Sequence, residues 1–296
     1  MQLIRKGKVK DVYDEGKSLL FKFSNRISVF DKIIPNEVPE KGASLCRTST
    51  FWFKMVEDRL GFPTHFIEMP ERDQMRVKKY QVLARKPTPE DSNYLIPLEF
   101  VTRYYVAGSL FDRLKSGEIK FQDLGFSEFP SYGDKLPHPF FESTTKFERF
   151  DRPVTASEAC EISGLTPSDL EKIRNEIYKI DEEINSTVYS RGLIHVDGKK
   201  EFALDEERNP VLVDTFGTAD EDRFWDKDKY EAGTQEEFSK EMVRQYYRSI
   251  GYHKALYDAR KEGKKEPDIP PLPEDMVHSV TALYVGLYEK ITGMKW

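Results

Sequence analysis

Two acidic residues near the middle of the chain have the types and spacing to share a metal ion. Glu201 opens the run Glu201-Phe202-Ala203-Leu204-Asp205. Asp214 closes the run Pro210-Val211-Leu212-Val213-Asp214, after Glu206-Glu207-Arg208-Asn209. If residues 206–209 form a hairpin loop, Glu201 faces Asp214, Phe202 faces Val213 and Leu204 faces Val211. One sheet face is then apolar (Phe202, Leu204, Val211, Val213), and the two-residue period holds on both strands. The carboxylates would have Cβ atoms about 5 Å apart. Such a pair is unfavourable unless one acid is protonated or a cation lies between, and a hard divalent ion such as Mg²⁺ suits oxygen ligands. Two solvated acids on an exposed face fit the same spacing, so both readings stay open.

Other candidates are anion binders. Gly7 lets the backbone approach a phosphate closely, and Lys8 or Lys10 would neutralise its charge; a basic exposed strand gives the same pattern. Arg103 precedes the small-residue turn Val106-Ala107-Gly108-Ser109, which suits a phosphate or carboxylate or simply an element end. Ser143-Thr144-Thr145-Lys146 offers hydroxyls and an ammonium, as exposed loops also do. Arg223 follows Asp220-Glu221-Asp222, either as an anion clamp or as a surface ion pair. The five histidines lack metal-ligand spacing. Cys46 has no evident basic partner and reads as a small buried residue. No Walker loop, Gly-x-Gly-x-x-Gly, Gly-x-Ser-x-Gly or His-Glu-x-x-His motif occurs.

The elements that must position these residues are legible in part. The chain has 296 residues, 46 Lys+Arg against 52 Asp+Glu, and 13% aromatics, enough for a large core and too aromatic for disorder. The mild acidity gives no support to a nucleic-acid reader, and no run is long and apolar enough to span a membrane. Two cysteines, Cys46 and Cys160, exclude a disulfide framework and favour a reducing cytoplasm. Val9–Val12 and Leu19–Phe23 read as strands around the turn Asp14–Lys17. Arg26–Ile34 reads as one extended stretch, Leu45–Leu60 as a helix, and Thr64–Glu68 and Arg76–Ala84 as strands. Lys86–Asn93 is a proline-containing loop. Pro167–Ser190 is the clearest helix, with Thr166 as cap, Pro167 at its first position and an apolar stripe from Leu170 to Val188. Leu193–Val196 is a short strand. Glu237–Ile250 and Glu274–Thr292 read as further helices.

The order of these segments resembles the SAICAR synthetase (phosphoribosylaminoimidazole-succinocarboxamide synthase) family. Gly7-Lys8-Val9-Lys10-Asp11-Val12-Tyr13 is similar to its opening loop, and Arg26-Ile27-Ser28-Val29-Phe30-Asp31 to its Ser-Ala-Phe-Asp stretch. Pro97-Leu98-Glu99-Phe100-Val101-Thr102-Arg103 with Gly108-Ser109 matches Pro-Leu-Glu-x-Val-Val-Arg … Gly-Ser. Thr144-Thr145-Lys146-Phe147-Glu148 resembles Ser-Thr-Lys-x-Glu, and Asp197-Gly198-Lys199-Lys200-Glu201-Phe202 resembles Asp-x-Lys-x-Glu-Phe. Asp214 … Asp220 … Arg223-Phe224-Trp225 completes the series. The chain departs from the pattern at Ala203 (usually Gly), Thr215 (usually Glu), Glu221 and Asp222 (usually small hydroxyl residues), Phe147, and an insertion at 87–93.

The resemblance implies an α+β fold. A small antiparallel β-rich N-terminal lobe, residues 1–85, would lie over a larger mixed α/β lobe, residues 86–296, with ATP bound in the cleft between. It implies an ATP-dependent carbon–nitrogen ligase of purine biosynthesis that joins 4-carboxy-5-aminoimidazole ribonucleotide to L-aspartate through an acyl phosphate. Gly7, Lys8 and Lys10 would cover the ATP phosphates, and Val82, Ala84 and Arg85 would meet adenine. Glu201 and Asp214 would hold Mg²⁺, and Lys199 would bind nucleotide, with Lys8, Lys199 and Asp214 serving catalysis directly. Arg103, Ser109 and Arg223 would grip the ribotide phosphate, Asp31 the imidazole, and Lys146 the aspartate or carboxylate side. The family also implies a homo-oligomer, with the aromatic-rich C-terminal helix as an interface. A small-molecule kinase would keep Lys8, Glu201 and Asp214 but need no aspartate, and a non-catalytic nucleotide-binding protein would turn nothing over.

Overall fold

The computed structural model describes residues 1–148 and 151–296. The chain begins with five strands, β1 (Gln2–Lys6), β2 (Lys10–Asp14), β3 (Ser18–Phe23), β4 (Arg26–Val29) and β5 (Lys32–Glu37). Helix α1 (Lys41–Met55) follows and widens into a π-helical turn, Val56–Leu60. Next come β6 (Phe66–Glu71), β7 (Gln74–Lys78), β8 (Tyr94–Leu95), β9 (Leu98–Tyr105), α2 (Gly108–Ser116), β10 (Lys135–Thr145) and β11 (Pro153–Val154). Helices α3 (Ala156–Ser163) and α4 (Pro167–Tyr189) lead to β12 (Leu193–Leu204), β13 (Pro210–Val213) and β14 (Asp222–Asp226). Four helices close the chain: α5 (Lys227–Glu231), α6 (Glu241–Ser249), α7 (Tyr252–Lys261) and α8 (Glu274–Thr292).

Two compact units divide these residues. The first gathers residues 1–51, 66–78 and 237–296, and the second residues 52–65 and 79–236. This differs from a single cut after residue 85, because the C-terminal helices join the N-terminal strands. The reason is packing: α8 buries Val280, Tyr284, Leu287, Tyr288 and Ile291, Ser44 Oγ of α1 donates to Tyr284 O at 2.7 Å, and the Arg47 guanidinium lies 4.2 Å from the Tyr288 ring centre. The same unit carries the antiparallel sheet β1-β2-β3-β7-β6 and the separate hairpin β4-β5. Arg26–Ile34 is therefore a hairpin and not one extended stretch. It folds back at Phe30 and Asp31, both at positive φ, a conformation that the residue types do not advertise.

The second unit is built on β12. This strand is almost wholly buried and pairs antiparallel with β9 and β8 on one edge and with β14 and β13 on the other. Helix α4 packs on it. The cap works as expected: Thr166 accepts from Asp169 N, while the Asp169 carboxylate accepts from Thr166 N. Leu170, Ile173, Ile177, Ile180, Ile184 and Val188 are buried along one stripe, each contributing roughly 1.5–3 kcal/mol against exposure. Among the described residues no helix is long and apolar enough to cross a membrane.

Candidate active site

Side chains alternate across a strand, so β12 must present different residues on its two faces. A bulge between His195 and Asp197 resets that alternation. Beyond it Asp197, Lys199 and Glu201 share the face opposite the one that carries Gly198 and Lys200. The register brings Asp197 opposite Arg103 of β9 and also opposite Arg223 of β14. Glu99, Val101 and Arg103 line the same face of β9, and Glu142 and Thr144 of β10 stand opposite Val101 and Glu99. One sheet face thus carries an acidic and basic row across four strands.

At one end of that row two guanidiniums converge on one carboxylate. Arg103 Nη1 and Arg223 Nη1 both donate to Asp197 Oδ2, at 3.3 and 3.1 Å. Arg103 also donates to Glu142 Oε1 from Nε and Nη2 (3.1 and 2.9 Å) and to Ser109 Oγ at 3.2 Å. Arg113 holds the other Glu142 oxygen at 2.6 Å. Ser109 is in the first turn of α2, whose N-cap, Ala107, has no side-chain oxygen to cap the helix. That terminus offers backbone N–H groups to an anion. Gly108 has φ +52, and a Cβ there would come within 2.5 Å of Arg223 Nη1, so the glycine is what lets the guanidinium lie against the helix start.

Four residues further along β12, about 13 Å away, is a crowded cluster of acids and lysines. Lys199 Nζ is shared by Glu99 (2.7 Å), Glu221 (3.2 Å) and Glu201 (3.3 Å). Lys146 Nζ pairs with the other oxygen of Glu201 and lies 3.9 Å from Asp214 Oδ2. Burial opposes both ammonium charges, yet the surrounding acids outweigh it and raise both lysines above their ordinary range. Two ammoniums are thus each shared among several carboxylates. Burial, opposed by Lys199 and reinforced by Glu201, pushes Glu99 up to about 7. The Thr144 hydroxyl, on the same face, is buried without a hydrogen-bond partner.

Glu201 and Asp214 thus meet on one cation, but not in the expected register. Glu201 stands opposite Val213, Phe202 opposite Leu212 and Leu204 opposite Pro210, one residue off. Asp205 is the cause. It belongs to the turn, where its Oδ1 accepts from Glu207 N (3.0 Å) and Asn209 N (2.6 Å), and Arg208 takes a positive φ. The faces exchange accordingly: Ala203, Val211 and Val213 pack with Tyr80, and Phe202 packs on Phe62 and Phe100. Asp214 lies one residue beyond the pairing at φ +62, and this left-handed residue turns its carboxylate back toward Lys146.

The remaining expected residues lie elsewhere. Gly7, Lys8, Lys10 and Asp31 belong to the first unit. Gly7 N donates to Lys10 O at 3.0 Å, and a Cβ at Gly7 would come within 2.5 Å of that oxygen, so the turn requires glycine. Lys8 Nζ donates to Asp31 Oδ1 at 2.7 Å, and the Lys10 ammonium lies 4.9 Å from the Phe21 ring centre. Val82 and Ala84 are exposed in a loop, because β7 ends at Lys78 and does not run on to Ala84. Arg85 there is bidentate to Asp91. The departures near Arg223 have definite partners: Glu221 on Lys199, and Asp222 buried with His195 Nε2 at 2.7 Å. Glu99, Glu142 and Asp197 are partners of the candidate residues Lys199, Arg103 and Arg223 that a search for acid pairs overlooks. The alternation Asp197, Lys199, Glu201 in a strand, and the need of a buried Arg103 for carboxylate partners, were the available signals.

The site fits a divalent ion on charge and on donor type. Among the described residues no group of three or more His, Cys, Asp or Glu side chains forms a metal cluster. Two convergent carboxylates are nevertheless the set by which Mg²⁺ is held when phosphates and water supply its other ligands.

Known proteins share the sequence and fold of this chain. The SAICAR synthetase family model matches residues 3–258. The phosphoribosylaminoimidazole-succinocarboxamide synthase of Thermoplasma acidophilum is 62% identical over 296 residues, all of both chains. The enzyme of that name from Nitrosopumilus maritimus is 36% identical over 298 residues, 99% of each chain. Among solved structures, the SAICAR synthase of Saccharomyces cerevisiae complexed with SAICAR superposes with a TM-score of 0.76 at 27% identity, covering 99% of this chain and 95% of that one. A type-2 SAICAR synthetase in complex with ADP gives 0.69 at 25% identity, covering 99% and 98%.

Proposed function

This chain belongs to the SAICAR synthetase family, and we propose that the charged face of β12 is where it does that family's chemistry. The enzyme is an ATP-dependent ligase of purine biosynthesis that joins 4-carboxy-5-aminoimidazole ribonucleotide to aspartate. One observation supports the assignment most: a single sheet face carries both the Arg103–Asp197–Arg223 clamp and the Glu201–Asp214 pair. A ribotide anchored by its phosphate at Arg103, Arg223 and Ser109 extends its base along β12 toward the acids.

A carboxylate is a poor electrophile. ATP transfers its γ-phosphoryl group to the ribotide carboxylate, and ADP leaves. The amine of L-aspartate then attacks the acyl carbon; the C–N bond forms, the acyl C–O bond breaks, and phosphate departs carrying the proton that the nitrogen loses. Such catalysis is positioning and charge neutralisation. Arg103 and Arg223 orient the ribotide through its phosphate. Glu201 and Asp214 would hold Mg²⁺, which supplies charge neutralisation on the ATP phosphates. Lys199, with Lys8 and Lys10 in the glycine turn, binds phosphoryl oxygens, and the Gly7 backbone approaches them. Lys146, released from Glu201, serves the reacting carboxylate or aspartate. The exposed loop at Val82, Ala84 and Arg85 meets adenine through its backbone, and Asp31 contacts the imidazole.

The two free thiols, Cys46 and Cys160, support a cytoplasmic setting; burial raises the Cys46 thiol far above its ordinary range, which removes it as a nucleophile. A homo-oligomer is part of the same reading, and its sedimentation mass tests it. The deciding experiment is ADP release with Mg-ATP and the carboxylated ribotide, with and without L-aspartate. Release that requires aspartate and yields the succinocarboxamide ribotide is expected. Release that ignores aspartate would mark a kinase.

A further inference from the structure

We infer that helix α7 is a positioning device for Asp31, acting through Arg260 and the ring of Phe30. The inference rests on the reading of Asp31 as a ribotide contact. Val29 pairs with Lys32, so Phe30 and Asp31 alone make the turn between β4 and β5. Both have positive φ, +51 and +65. Such two-residue turns favour Asn-Gly or Asp-Gly, and a phenylalanine held left-handed is strained. The hairpin forms its own two-stranded sheet, which by itself is marginally stable. Something outside the hairpin must hold the turn.

The C-terminal region does so. Arg260 Nη2 donates to Phe30 O at 3.0 Å. The Phe30 ring meets His253 edge-on at 4.7 Å and Tyr257 at 6.4 Å, with the Arg248 guanidinium 5.8 Å from its centre. Arg260 is fixed in turn by Glu266 at 3.0 Å, and Glu266 also pairs with Lys32, the first residue of β5, at 2.5 Å. Phe30 is the handle, and its neighbour is what the grip presents: the Asp31 side chain is 59% exposed, with one oxygen on Lys8. Arg260 and Glu266 lie beyond residue 258, where the family match ends.

The test compares Arg260→Met, Arg260→Lys and Asp31→Asn by steady-state kinetics with Mg-ATP, ribotide and L-aspartate. Arg260→Met should raise the KM for ribotide about fivefold or more, with kcat and the KM for ATP nearly unchanged, as expected when a binding group is misplaced and not lost. Arg260→Lys, which still donates to Phe30 O, should restore most of the affinity. In an Asp31→Asn background, Arg260→Met should add little, because both act through one carboxylate. If Asp31→Asn raises the KM and Arg260→Met does not, or if the two effects multiply, the clamp is refuted while the Asp31 reading stands. If Asp31→Asn changes nothing, the reading of Asp31 falls and the inference with it. Should Arg260→Met fold poorly, Tyr257→Leu removes part of the grip on Phe30 and must raise the same KM, only less.

Discussion

Lys199 and Lys200 are neighbours in sequence and opposites in circumstance. Lys200 is fully buried, and its ammonium pairs with one carboxylate, Asp181 of α4, whose other oxygen accepts from Tyr104 Oη at 2.9 Å. Lys199, on the other face of β12, is partly exposed and divided among three carboxylates. One face is electrically settled: each charge has its partner, and His195 likewise has Asp222 and Asn185. On the other, each lysine is shared among several carboxylates. A face that only had to fold would not be left so. On the proposed reading the crowded acids take up a cation and the adjoining guanidiniums an anion. Structure and chemistry are therefore separated by the pleat of a single strand.

The comparison can be broken most sharply on the settled face. Lys200→Met leaves Asp181 buried without its partner and should destabilise the fold by about 3–5 kcal/mol, read as a shift in the denaturation midpoint. The KM values for ATP and ribotide should stay near wild type in the molecules that remain folded. The double variant Lys200→Met/Asp181→Leu should recover much of the loss, since removing both charges relieves the desolvation. Altered substrate KM values would mean that the faces are not independent. On the other face, Asp214→Asn should invert the pattern: kcat/KM falls on the order of a hundredfold to a thousandfold, with thermal stability unchanged or improved as acid crowding eases. Mg²⁺ titration followed by calorimetry should show weakened Mg-ADP binding. Next in size, Arg103→Ala should raise the ribotide KM about tenfold to a hundredfold, the worth of charge-assisted hydrogen bonds, and leave ATP binding unchanged. Its fold should survive, because Glu142 keeps Arg113 and Asp197 keeps Arg223.

Sequence reading succeeded where the signal was local. Thr166, Pro167 and Asp169 announce α4 because a cap is a contact within four residues, and the stripe down to Val188 repeats at the helical period. It failed where one residue's side chain chose between two local roles. Asp205 has the pattern of a strand end, but its carboxylate binds the turn backbone, and that slipped the β12–β13 register by one. The same pattern gave no hint that Asp214 would take a left-handed φ and meet Glu201 regardless. The Phe30–Asp31 turn was invisible because its conformation is imposed by residues more than two hundred positions away. Spacing alone paired Glu201 with Asp214, while the roles proposed for Arg103 and Arg223 came through resemblance in ordered motifs. Glu99 and Asp197 stand inside those motifs, but their roles depend on the alignment of β9, β12 and β14, which no single segment encodes.

The smallest effect tests the crowding of acids itself. Glu99 has an ordinary value of 4.5 and is pushed up to about 7 in the fold. An acid whose affinity for its proton is raised by folding stabilises the folded state at low pH, and that contribution is lost as the pH rises through the folded value. Wild-type stability should therefore decline between about pH 4.5 and 7 relative to Glu99→Gln, and the two curves should run parallel above that range. A shift of this size corresponds to at most about 3.4 kcal/mol, and because neighbouring acids share the proton, a difference on the order of 1 kcal/mol spread over the window is expected. The measurement is chemical denaturation across pH with a chelator present, so that no divalent ion neutralises the acids. Adding Mg-ADP should then flatten the wild-type curve, since a cation neutralises the acids that held the proton on Glu99. If wild type and Glu99→Gln lose stability in parallel from pH 4.5 upward, the acids of this face are balanced after all, and the contrast between Lys199 and Lys200 is one of exposure alone.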